Sequence, residues 1–226
     1  PQGSVISPLL ANVYLHEVLD TWFAEVVTAH CRGKVVLYRY ADDFVIGCER
    51  EEEAQKIMRA LPKRFAKYGL EINAEKTRMI SFRRPPRGYS RRSHGPKPGT
   101  FNFLGFTHYW GKTRKGWYTI KWKTDGRRLS RCTSAFWQWC RNHRHFSVEV
   151  QHQTLCAKLR GYYQYYGVPF NSAALALVHF KVTRAWRYWL NRRGGRKKLK
   201  WSAFQRLLSQ FQLPRPRIVH GWDQMG

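Results

Sequence analysis

Two adjacent carboxylates, Asp42 and Asp43, stand between apolar runs in "YRYADDFVIG" (38–47). Neighbouring acids repel each other and resist burial, so the arrangement needs a compensating partner. A divalent cation is the usual one. Mg²⁺ takes oxygen ligands and keeps coordination positions open for phosphates. Two such ions clamp the attacking and leaving oxygens of an in-line phosphoryl displacement. Asp is also an ordinary turn residue, and a lone pair of acids at a turn can be simply solvated. The flanking residues favour the metal: they belong in a core, which puts the acids at its rim.

The elements that must hold this pair are legible nearby. Val35–Tyr40 and Phe44–Cys48 are β-branched and aromatic runs bracketing Ala41-Asp42-Asp43, which predicts a tight hairpin with the acids at its turn. Upstream, Ser7 reads as an N-cap with Pro8 at the first helical position. Apolar residues at 9/10, 13/14, 18/19 and 22/23 continue as a helical stripe. Downstream, "EEEAQKIMRALPKRFAKYGL" places Ala54, Ile57, Met58, Leu61, Phe65 and Tyr68 on one helical face. Its leading acids suit the N-terminal dipole, Gly69 closes it, and Pro62 should kink it. A turn at Asn73–Lys76 and a strand through Phe82 follow. "RRPPRGYSRRSHGPKPG" (83–99) reads as a polar loop, and 100–124 as a second hairpin turning near Gly111–Gly116. Helical patterns then dominate at 127–142, 149–166, 172–192 and 201–210. The expected fold is α+β, with mixed elements over 1–124 and a basic helical module over 125–226.

Charge is divided along the chain. Of 226 residues, 41 are Lys or Arg and 14 Asp or Glu, a net charge of +27. Residues 1–80 hold 11 of each sign, and residues 81–226 hold 30 basic against 3 acidic. So uneven a surface calls for a polyanion, and nucleic acid fits best. Nine of the ten tryptophans also lie after residue 81, where rings among Arg and Lys suit stacking on bases, although most such rings would serve helix cores. Loop 83–99 carries Arg83, Arg84, Arg87, Arg91 and Arg92, candidate RNA contacts. Apolar runs fall well short of the ~18 residues a membrane span requires. Five cysteines without a CxxC pair argue for free thiols in a reducing compartment. Cys132, Cys140, His143 and His145 cluster without the close ligand pairs of structural zinc sites, so buried thiols beside surface histidines is the favoured reading.

"YADD" between two strands resembles the catalytic hairpin of reverse transcriptases. "PQGSVISPLLANVYL" resembles the preceding block of group II intron-encoded reverse transcriptases, "GLEINAEKT" the next block, and "FNFLGF" the one after. "LRGYYQYYG" and "KWSAFQRLLSQFQLPRPRI" are similar to the maturase, or thumb, domain of the same family. The resemblance implies part of a polymerase palm, an antiparallel sheet with packed helices, followed by a helical thumb. It implies an RNA-directed DNA polymerase with a maturase role, using two Mg²⁺ ions. Implied partners are intron RNA, an RNA template/DNA primer duplex and dNTPs, in a bacterial cytoplasm and nucleoid-associated when acting on DNA.

Roles carried over by the resemblance are specific. Asp42 would ligate the catalytic Mg²⁺ ions, and Asp43 would support the site electrostatically or as a further metal ligand. Tyr40 and Ala41 would lie beneath the primer end and incoming nucleotide, with Gln2 and Gly3 lining the nucleotide pocket. Lys76 would face the triphosphate. Leu104, Gly105 and Phe106 match the primer grip, and Arg160, Tyr162 and Tyr163 would contact the duplex. The family also needs a third carboxylate from an earlier strand and finger residues for the triphosphate. Neither is visible in a chain that starts at Pro1, so a fragment inactive by itself is the expectation. Two alternatives stay open: a non-catalytic RNA-binding splicing factor, and a reverse transcriptase of retron or CRISPR-associated lineage.

Overall fold

The computed structural model describes residues 6–86, 89, 97–194 and 198–221. The chain divides into two compact units, Pro1–Leu104 and Gly105–Gly226. The division between these units falls before the second hairpin. Among the described residues, no helix is long and apolar enough to cross a membrane.

The first unit opens with helix α1 (Ser7–Leu15), which runs on through π-helical turns His16–Thr21 and Phe23–Val27 into a last turn, α2 (Thr28–His30). Ile6, not Ser7, is the N-cap, and Pro8 lies in the first turn, where its missing N–H breaks no bond. The apolar stripe is split in its fate. Val18, Leu19, Phe23 and Val27 are buried, whereas α1 buries none of its residues.

Strands β1 (Val35–Tyr40) and β2 (Asp43–Cys48) pair antiparallel, from Val35 opposite Cys48 to Tyr40 opposite Asp43. Helix α3 (Glu51–Lys67) buries Ile57, Leu61 and Phe65, spaced one turn apart. Phe44 and Ile46 of β2 pack into the same core as these and the residues of the π-helical turns. The helix continues through Pro62, which is exposed, and ends where Gly69 takes φ +68°. Glu53 of α3 is buried and accepts the backbone N–H groups of Arg32 (2.6 Å) and Gly33 (3.0 Å), fixing the entry to β1. Those bonds, that from Gly33 first, hold its carboxyl below the usual range.

The strand expected through Phe82 is not formed: residues 77–82 join no ladder. Instead, Ser81 passes so close to Gly99 that a Cβ there would sit 2.2 Å from the Ser81 carbonyl oxygen. Phe82 meets Phe101 edge-on at 5.0 Å, at the start of β3 (Phe101–Phe103). Ring packing and close backbone approach tie these segments where a ladder was expected.

The second unit begins with the hairpin β4 (Phe106–Lys112) and β5 (Tyr118–Thr124), Phe106 opposite Thr124. Four helices follow: α4 (Gly126–Asn142), α5 (Val148–Tyr166), α6 (Ser172–Leu190) and α7 (Trp201–Gln210). Asp125 and Ser147 cap α4 and α5, accepting from the N–H groups of Arg128 and Val150. Leu155, Leu159, Leu175, Val178, Val182, Trp186 and Phe204 are fully buried. Buried polar groups are paired around them. Gln151 accepts from the Trp186 indole N–H at 2.9 Å. The Asn171 Oδ1 accepts the Thr124 N–H at 2.8 Å, and its Nδ2 donates to the Tyr166 carbonyl at 2.8 Å. Asn171 therefore anchors β5 to the helices, which is why the hairpin packs with them.

Candidate functional site: the acidic hairpin turn

The β1–β2 connection is two residues long, Ala41 and Asp42. Tight hairpins need a positive φ in the turn, usually supplied by Gly. Here Ala41 supplies it, at φ +52°. That conformation costs a residue with a Cβ on the order of 1 kcal/mol, so something must hold it. Arg39 does. Its Nη1 donates to the Ala41 carbonyl at 3.0 Å and to Asn12 Oδ1 at 3.0 Å. Its Nε and Nη2 donate to the two carboxylate oxygens of Asp20, at 2.7 and 2.6 Å. This forked pairing holds the Asp20 carboxyl below its ordinary range, the hydrogen bond from Arg39 being the main cause. Asp20 comes from the first π-helical turn and Asn12 from α1, so the turn bearing the acids is tied to the helical segment behind it.

Alternation along the ladder sorts the side chains. Val35, Leu37 and Arg39 share one face of β1, with Leu37 in the core. Tyr38 and Tyr40 share the other, at 63% and 67% exposure. Asp43 is directly opposite Tyr40, so its carboxylate shares the open face with that phenol ring. Asp42, in the turn, is also exposed, and neither carboxylate has a hydrogen-bond or ion-pair partner among the described residues. Two free oxygen-donor groups on a braced turn can take part in binding a hard cation such as Mg²⁺. Among the described residues, no group of three or more His, Cys, Asp or Glu is placed to hold a metal. At Cys132 and Cys140, burial pushes the thiols up to about 11 and about 12, while His143 stacks on Trp139 at 4.7 Å.

Other sequence-selected positions fall in different places. Lys76 is exposed in a turn closed by its own N–H on Asn73 Oδ1 at 3.1 Å. Leu104 and Gly105 take φ +49° and +80°, a tight turn at the division between the units. A Cβ on Gly105 would lie 3.1 Å from the Tyr166 hydroxyl and 3.2 Å from Arg128 Cδ. Phe106 stacks on Tyr165 at 5.9 Å and meets Tyr166 edge-on at 5.3 Å, a packing role within the second unit. Arg83 is exposed and 3.6 Å from Glu51, and Arg84 is exposed. Gln2, Gly3, Arg87, Arg91 and Arg92 lie outside the described residues.

Arg160 is exposed on α5, but Tyr162 and Tyr163 are core residues, 8% and 3% exposed. Rings buried to that degree present no face to a duplex, which corrects the contact expected of them. Burial raises both phenols, Tyr162 to about 12. The residues that sequence reasoning missed are Asn12, Asp20 and Arg39. Arg39 carried a signal: it falls on the inward phase of an apolar strand, where a cation requires a carboxylate.

Residues 1–108 match the family model for reverse transcriptase (RNA-dependent DNA polymerase). The match spans just under half the chain and contains the whole braced hairpin. No curated protein matches the chain. The match is to a family of RNA-dependent DNA polymerases, whose reaction is a nucleotidyl transfer on nucleic-acid template and primer with dNTPs.

Proposed function

We propose that the chain is the C-terminal palm and the thumb of a group II intron-type reverse transcriptase with a maturase role. The observation that supports this best is the Tyr40-Ala41-Asp42-Asp43 turn: two exposed, unpartnered carboxylates, braced by Arg39, inside the region that matches reverse transcriptase. In this reading residues 1–124 act as palm and 125–226 as the thumb and maturase domain.

Asp42 and Asp43 fit part of a Mg²⁺ site, since both offer hard oxygen donors and both are open to solvent. When bound, two Mg²⁺ ions would lower the barrier to attack by the primer 3′-hydroxyl on the nucleotide α-phosphorus. The chain's own residues position the reactants. Ala41 and Tyr40 support the primer end and the incoming nucleotide. The Lys76 ammonium, with no partner among the described residues, faces the triphosphate, and Gln2 and Gly3 line its pocket. Leu104-Gly105-Phe106 form the primer grip: a tight turn brings the three residues together, and Phe106 is held by Tyr165 and Tyr166. The basic second part, with Arg160 and the arginine loop, binds intron RNA and the template/primer duplex. The site of action is the bacterial cytoplasm.

Asp42→Asn in the intact enzyme is the test. It keeps size and hydrogen bonding and removes the metal-binding charge. Mg²⁺-dependent primer extension on an RNA template should be lost while RNA binding and splicing persist. Extension near the wild-type rate would overturn the assignment of chemistry to this hairpin. Loss of nothing but splicing would point to a splicing factor.

A further inference from the structure

Helix α6 carries two chemistries on two sides. Leu175, Val178, Val182 and Trp186 face the core, each fully buried. The outer side carries Phe180, Arg184, Arg187 and Tyr188, spaced at three and four residues on one helical face. Arg192, just past the helix, and Trp201, at the start of α7, close this face into a groove of about 720 Å³. Its rings are open: Phe180, Tyr188 and Trp201 are 52%, 38% and 46% exposed. Trp137 of α4 supports Tyr188 from the side, centroids 4.7 Å apart.

Each ring has an arginine on its face. Arg184 lies 5.4 Å from the Phe180 centroid, Arg187 4.9 Å from Trp201, and Arg192 3.5 Å from Tyr188. Among the described residues no Asp or Glu lines the groove, and none of the three arginines pairs with a carboxylate. A concave surface with exposed ring faces and uncompensated cations suits a ligand that is both flat-faced and anionic. An acidic peptide would meet the charge but not the rings. A duplex would offer phosphates but keeps its base faces stacked inside. Unpaired nucleotides offer both.

We infer that this groove takes an unpaired stretch of RNA, its bases stacked on Phe180, Tyr188 and Trp201 and its phosphates held by Arg184, Arg187 and Arg192. The guanidiniums already lie where bases would lie. On binding, each exchanges its ring for a phosphate, and the base takes the vacated face. The inference rests on the RNA-binding reading of the basic second part and adds a subsite for bases, which contacts to the RNA backbone alone would not require.

Ring substitutions isolate the subsite. Losing an arginine would weaken binding of any RNA through counterion release, whereas losing an exposed ring removes stacking alone. The full chain should be titrated with an oligouridine and with a blunt RNA duplex of equal length, at one fixed salt concentration. Phe180→Ser and Trp201→Ser should each weaken oligouridine binding about tenfold, leave duplex binding unchanged and leave the melting temperature near that of the parent chain. Photocrosslinks from 5-iodouridine should fall on α6 or Trp201. Unchanged oligouridine binding, equal loss with both probes, or crosslinks elsewhere would overturn the groove while leaving RNA binding in place. Failure of the parent chain to bind either RNA would overturn the RNA-binding reading, and the groove with it.

Discussion

Arg39 and Asp20 form a forked ion pair, two bonds of 2.7 and 2.6 Å, and the same guanidinium holds the carbonyl of Ala41, the residue before Asp42. The pair is mostly shielded, with side-chain exposures of 14% and 27%. Removing Arg39 leaves a shielded carboxylate without its cation and a left-handed alanine without its brace. Arg39→Ala should therefore destabilise the first unit by about 2–3 kcal/mol, read as a drop in melting temperature. Arg39→Lys keeps the charge but loses the fork. It should recover less than half of that loss, and primer extension by the intact enzyme should fall further than stability explains. Full activity with Lys would mean that the turn holds itself.

Acid should loosen the same unit. The carboxyls of Asp20 and Glu53 both sit below their ordinary ranges, the first held chiefly by Arg39 and the second chiefly by the Gly33 N–H. A depressed acid binds protons less readily folded than unfolded. Its contribution is present above the unfolded value and is lost as pH falls through the folded one. Stability of the parent chain should decline below about pH 4.5, where unfolded carboxyls begin to protonate. In Glu53→Gln the starting stability should be lower and the acid decline shallower. Parallel acid profiles for the two proteins would remove Glu53 from this account.

The β1–β2 hairpin was legible because β-branched and aromatic runs flank a short acidic turn, and the four later helices because their apolar spacing is regular. Tyr162 and Tyr163 show where a motif misleads. With Leu155 and Leu159 they lie at four, seven and eight residues along α5, a core stripe, and burial follows that spacing. The brace was half legible: Arg39 on the inward strand phase demanded an acid, but no local pattern indicates that Asp20, in a π-helical turn, would meet it. The strand expected at 77–82 failed for the opposite reason. Local β-propensity was present, but among the described residues no neighbouring strand closes a ladder with it.

Leu9, Leu10 and Val13 stand 62%, 58% and 60% exposed on a helix that buries nothing. Apolar groups clustered on one open face drive association in water. Leu10→Gln with Val13→Gln should raise the concentration at which the chain stays monomeric by light scattering. Stability should shift by no more than about 0.5 kcal/mol, as for surface positions. A marked loss of stability would show that this face packs within the unit.

The arginine loop should act by charge. Replacing Arg83, Arg84, Arg87, Arg91 and Arg92 with Ser should flatten the dependence of log K on log salt for structured RNA, by roughly 0.7–0.9 for each phosphate no longer neutralised. An unchanged slope would place the loop away from RNA and leave the 81–226 charge excess to be explained by the helices.

The acids themselves set the last expectation. An in-line displacement assisted by two Mg²⁺ ions needs enough carboxylates to hold both, about 4 Å apart. Asp42 and Asp43 are sequence neighbours: one lies in the turn and the other begins β2 on the face shared with Tyr40. Among the described residues no third acid converges on them, and two monodentate groups leave most of two octahedral shells unfilled. Purified 1–226 should therefore give no primer extension on an RNA template with Mg²⁺, although it should bind that template. Its first unit should still melt cooperatively, since the braced hairpin and its core are formed within the chain. Robust extension by 1–226 alone would mean that the chain holds a complete active site.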